Sequence, residues 1–109
     1  MKTELAKKIE MQSRRPSTPG EILEDLLDCS GISQSELARC LNVSGATINR
    51  LINGHQTLST DMAQRLGRFW GDGARVWLTH QQMVDQWELS HTDTESYKFI
   101  TPQRERVAV

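Results

Sequence analysis

Two helix starts, Ser33 and Ser44, stand so close in this chain that only a pair of short helices meeting at a sharp corner satisfies both. Ser33-Gln34-Ser35-Glu36 is a capping box. Its hydroxyl accepts from the third helical N–H while the glutamate reaches back to the cap. Leu37, Ala38 and Leu41 follow on one face, and Asn42 ends the run. Asparagine tolerates the left-handed backbone that such a turn demands. Val43 comes next, and then Ser44 caps a helix carrying Ile48, Leu51 and Ile52. The pair Asn53-Gly54 breaks it.

Similar punctuation brackets this pair. Thr18-Pro19-Gly20-Glu21 places a hydroxyl cap, a proline at the first helical position and a glutamate at the third. Ile22, Leu23, Leu26 and Leu27 repeat at helical spacing up to Gly31, so a helix is predicted over 19–29. Ser59 or Thr60 caps a fourth helix with Met62, Ala63, Leu66, Phe69 and Trp70 as its apolar set, and Gly71-Asp72-Gly73 ends it. A fifth, predicted over 74–89, carries Val76, Trp77, Leu78, Met83, Val84 and Trp87 around more than one stripe. It therefore packs on the core and on something else, most economically a second copy. The whole reads as an all-α, five-helix domain over 15–90 with flexible arms at 1–14 and 91–109. In the second arm Tyr97, Phe99 and Ile100 are candidate anchors, with a weak strand signal at 97–100.

Two short helices joined through Leu41-Asn42-Val43-Ser44 cross too sharply for ordinary bundle packing. That geometry is the helix-turn-helix, whose second helix enters the DNA major groove while the first crosses the backbone. Ala38 is the small residue needed where the helices touch, and Leu37, Leu41, Val43, Ile48 and Leu51 face the core. The remaining face, Ser44, Gly45, Ala46, Thr47, Asn49 and Arg50, is small or polar, as groove entry requires. A plain helical hairpin with a solvated face is the blander alternative. His55 and Gln56 in the following loop are near enough to reach phosphate, as is Arg39 on the first motif helix. For these the alternatives are a solvent-facing loop and a surface ion pair.

Charge and chemistry narrow the class further. Net charge is −1, so a DNA-binding surface must be local. Residues 1–20 hold Lys2, Lys7, Lys8, Arg14 and Arg15 against Glu4 and Glu10, whereas Glu21, Glu24, Asp25 and Asp28 meet no base over 21–32. The acidic run is a solvated face turned from the phosphates. One recognition helix on such a chain makes too few phosphate contacts, which argues for a homodimer on two half-sites. Trp77, Val84 and Trp87 are the interface candidates, in preference to a ligand pocket. Cys29 and Cys40 are too few for a disulfide framework, and their spacing, with His55, His80 and His91 apart, fits no metal site. No catalytic triad, phosphate-cradling loop or paired carboxylates can be assembled, so neither an enzyme nor a cofactor is expected. No apolar run is long enough for a membrane span or a secretory leader, which predicts a cytoplasmic protein.

The stretch from RRPSTPGEILEDLL through SQSELARCLNVSGATINRLINGHQTLSTDMAQRLGRFWG to VWLTHQQMVDQWEL resembles the HigA-type antitoxins of the lambda-repressor-like (Xre) family. Those proteins open with R-x-P-x-x-P-G-E-I-L and close with W-L-x-x-Q-x-x-x-D-x-W-E; the resemblance spans about residues 14–89. It implies a five-helix fold that dimerises through its C-terminal part, represses its own toxin–antitoxin operon and neutralises a small HigB-type mRNA-cleaving toxin. By the same resemblance Gln34 and Asn53 touch phosphate, and Ser44, Gly45, Ala46, Asn49 and Arg50 face the groove. Well-known repressors carry long amides where Gly45 and Ala46 stand, and commonly glycine where Asn42 stands. Gly45 has no side chain to read a base and Ala46 touches only a thymine methyl. Base reading thus falls to Arg50, bidentate to a guanine, with Asn49 or Thr47.

Three binding roles compete: an antitoxin that also represses, a stand-alone repressor without a toxin, and a protein-interaction module that has lost DNA binding. Gly45, Ala46 and the weak net charge favour the last mildly. A toxin would seat on the basic arm with Lys7, Lys8, Arg14 and Arg15, on the C-terminal tail, or, being basic itself, on the acidic face of the first helix.

Overall fold

The computed structural model describes residues 14–105, so the N-terminal arm before Arg14, with Lys7 and Lys8, and the last four residues of the C-terminal tail lie outside the described residues. Five α-helices follow in order: α1 Pro19–Ser30, α2 Gln34–Leu41, α3 Gly45–Ile52, α4 Thr60–Trp70 and α5 Ala74–His91. Two 3₁₀ turns, Glu95–Phe99 and Gln103–Glu105, complete the described chain. No described helix is long and apolar enough to cross a membrane.

The helix starts lie where the caps were read. Thr18, Ser33, Ser44 and Ser59 are all extended, and each hydroxyl accepts from the N–H three residues on. Thus Ser59, not Thr60, caps α4. Asn42 takes the left-handed conformation at φ 55° and ψ 49°. Its N–H donates to Arg39 O at 3.2 Å and the Val43 N–H to Ala38 O at 3.0 Å. This paired closure satisfies the last carbonyls of α2 and turns the chain into α3.

One core holds the helices together. Leu23 and Leu27 from α1, Leu37, Ala38 and Leu41 from α2, and Ile48, Leu51 and Ile52 from α3 meet Met62, Ala63 and Leu66 of α4 and Trp77 of α5. Helix α4 lies along α5, while α3 packs on both α1 and α2. Backbone approach is closest at Gly20, where an added Cβ would stand 2.0 Å from Leu51 O and 2.9 Å from Ile52 Cα. Only glycine lets the start of α1 sit against the end of α3.

Three expectations are corrected. The weak strand signal at 97–100 falls on the turn Glu95–Phe99, closed by Tyr97 N–H to Thr94 O at 3.0 Å. An isolated strand has no ladder to join, whereas a local turn satisfies its own backbone. Tyr97, Phe99 and Ile100 do not anchor the tail either, being 55%, 80% and 68% exposed. Helix α5 also runs past 89 to His91, whose Nδ1 meets Trp87 O at 2.8 Å.

Candidate nucleic-acid interface

Helix α3 buries Ile48, Leu51 and Ile52 and turns its other face outward. Ser44, Gly45, Ala46, Asn49 and Arg50 are exposed and Thr47 is half-buried. A Cβ placed on Gly45 would meet nothing within 4 Å, so the fold does not require glycine there. The start of α3 is consequently flat and open, which suits close approach to a groove wall.

The polar groups of this face are tied to one another. Ser44 Oγ and Thr47 Oγ1 share a hydrogen bond of 2.8 Å. Asn53 Nδ2 donates to Asn49 Oδ1 at 3.1 Å, and Arg50 Nε donates to Gln56 Oε1 at 3.1 Å. Asn53 and Gln56, read from sequence as phosphate contacts, therefore brace Asn49 and Arg50, the two longest side chains on the exposed face of α3. Gln34 is half-buried at the first residue of α2, where orphan N–H groups favour an anion. Arg39 and His55 are exposed.

Sequence reasoning missed the clamp on the turn. Arg65 Nη1 donates to Leu41 O at 2.7 Å, and its Nε donates to Asp61 Oδ2 at 2.8 Å. Nothing local signals a contact across 24 residues. A second such tie joins Gln81 Oε1 of α5 to the Leu58 N–H at 3.0 Å, fixing the loop before α4. Ahead of α1, Arg15 Nη2 bonds Glu21 Oε1 at 2.7 Å and Thr18 Oγ1 bonds it at 3.2 Å. The Arg15 guanidinium is the main reason the Glu21 carboxyl titrates below the ordinary carboxylate range.

Of the interface candidates, Trp77 is 1% exposed and Val84 3% exposed within their own chain. Trp77 belongs to the core and donates its Nε1–H to Asp72 Oδ1 at 3.0 Å. These two present almost no surface to a partner. Trp87 is half-buried and stacks on His91 with ring centroids 4.2 Å apart.

The sequence model of the antitoxin Xre-like helix-turn-helix domain matches residues 11–70. This chain belongs to that family. Among known proteins it is similar to the HTH-type transcriptional regulator YbaQ of Escherichia coli, 36% identical over 80 residues that cover 72% of this chain and 71% of that one. Its fold is similar to that of Pseudomonas aeruginosa antitoxin HigA, solved with the higBA promoter (TM-score 0.70, 35% identity, 82% of this chain and 99% of that one). It is similar also to the P. aeruginosa protein PA4674, solved with its operator DNA (TM-score 0.70, 36% identity, 81% and 95% covered). The antitoxin family assignment agrees with the five-helix architecture and with regulators, not enzymes, as relatives.

Proposed function

We propose that this chain is a sequence-specific antitoxin that binds its own operator as a homodimer, represses its toxin–antitoxin operon and neutralises a HigB-type mRNA-cleaving toxin by direct binding. The observation that carries the DNA-binding part is the exposed face of α3. There Gly45 and Ala46 leave a flat entry and Asn49 and Arg50 are held ready beyond it. Operator binding by the similar PA4674, and promoter binding by the similar HigA, support the same use of the fold.

In this reading Arg50 reads a guanine edge, with Asn49 and Thr47 as further contacts. Gln34, Arg39, Asn53 and His55 face phosphate. Two copies meet through the Trp87 end of α5, which sets two recognition helices on successive half-sites. The exposed acids Glu24, Asp25 and Asp28 of α1 offer a basic toxin a complementary surface.

A reporter driven by the DNA upstream of the chain's own gene tests repression: expression of the chain should silence it. Co-purification with the tagged product of a small neighbouring gene, and loss of that product's RNA cleavage in the complex, tests neutralisation. Silencing without any bound toxin would leave a stand-alone repressor. A reporter unaffected by the chain would contradict the proposal.

A further inference from the structure

Gln56 was read from sequence as one more phosphate contact, yet its side chain turns back onto α3. The backbone brings it there. Gly54 adopts φ 75°, its N–H donates to Leu51 O at 3.2 Å, and the His55 N–H donates to Arg50 O at 2.8 Å. This paired closure folds the chain back over the last turn of the helix, and the left-handed residue it needs is glycine. Position 56 thereby comes level with position 50, and Gln56 Oε1 accepts from Arg50 Nε at 3.1 Å. Gln56 is half-buried while Arg50 is exposed, so the acceptor is the better fixed of the two.

A free arginine loses rotamer entropy when it grips a base. Engaging Nε sets the plane of the guanidinium and leaves Nη1 and Nη2 as a parallel pair of donors. That pair matches O6 and N7 of guanine. We infer that Gln56 is a positioning residue for base reading: it presets the Arg50 fork for a guanine edge and so determines specificity from outside the helix. The inference rests on the proposed use of α3 as the groove helix. Without the acceptor the Arg50 charge stays, so attraction to any duplex persists while guanine preference decays.

The test uses a duplex selected by the wild-type chain from a pool with a randomised centre, its single-base-pair variants, and a random duplex. Arg50→Ala should abolish discrimination at one guanine per half-site. Gln56→Met keeps length without the acceptor. It should cut that discrimination about 3–10-fold, the worth of one hydrogen bond, with random-duplex affinity within about twofold. Gln56→Glu keeps the acceptor and should keep the discrimination while weakening every duplex alike. Unchanged discrimination in Gln56→Met overturns the inference. So does an equal loss on all duplexes with a shallower salt dependence, which would make Gln56 a phosphate contact. No selected consensus, or no effect of Arg50→Ala on discrimination, overturns the base-reading role of Arg50 itself.

Discussion

Arg65 of α4 donates a charged hydrogen bond of 2.7 Å to the carbonyl of Leu41, the last residue of α2. The turn between the two motif helices is thereby held by a third helix. Its side chain is 36% exposed, which discounts a charge-assisted bond to about 1–2 kcal/mol. Arg65→Met should lower stability by that amount and the melting temperature by about 5–10 °C, read by thermal denaturation. A change of less than about 0.5 kcal/mol would show that Asn42 and the α2 closure hold the turn unaided.

The contact between the start of α1 and the end of α3 allows no side chain at Gly20, since Leu51 O would lie 2.0 Å from a Cβ. Backbone cannot rotate away as a side-chain end can. Gly20→Ala is expected to cost about 3 kcal/mol, the upper part of the overpacking range. Chemical denaturation measures it, and a neutral substitution would mean that the two helices do not meet as described.

Gly45 gives the opposite expectation. An added side chain there has open space in the free chain, and leaving glycine near a helix start gains up to about 1 kcal/mol. Gly45→Leu should melt no lower than the wild type while losing at least tenfold in operator affinity. Undiminished binding would place the DNA on another face.

Acid should act on the α1 cap through Glu21. Its carboxyl titrates low in the folded chain, chiefly because of Arg15. Its contribution to stability is therefore complete above the unfolded carboxyl value of about 4.3 and is lost as pH falls through the lower folded value. Wild type and Glu21→Gln should differ in melting temperature near neutral pH and converge under acid. The effect is small, because the side chains of this pair are 40% and 45% exposed. A gap that widens on acidification would contradict the assignment.

The local grammar of this fold was legible in the sequence. Thr18, Ser33 and Ser44 act within three residues of themselves, and the left-handed Asn42 answers a purely local need. Contacts made across the core were not legible. Arg65 reaching Leu41, Gln81 reaching the Leu58 N–H and the bare approach at Gly20 depend on how α1, α4 and α5 are placed. Periodicity showed that the apolar residues of α5 surround the helix without showing which stripe meets its own core, so Trp77 read as interface and lies buried. On α3 the sequence separated the outward residues Gly45, Ala46, Asn49 and Arg50 from the buried ones. The bracing of Arg50 by Gln56 was not legible, because it needs the chain reversal at Gly54.

The most direct test of the central claim is a footprint of the purified chain on the DNA upstream of its own gene, at ~50 mM and ~200 mM salt. Two protected patches are expected, one or more helical turns apart and fading at the higher salt as phosphate contacts are screened. No protection at any concentration below the micromolar range would contradict that claim.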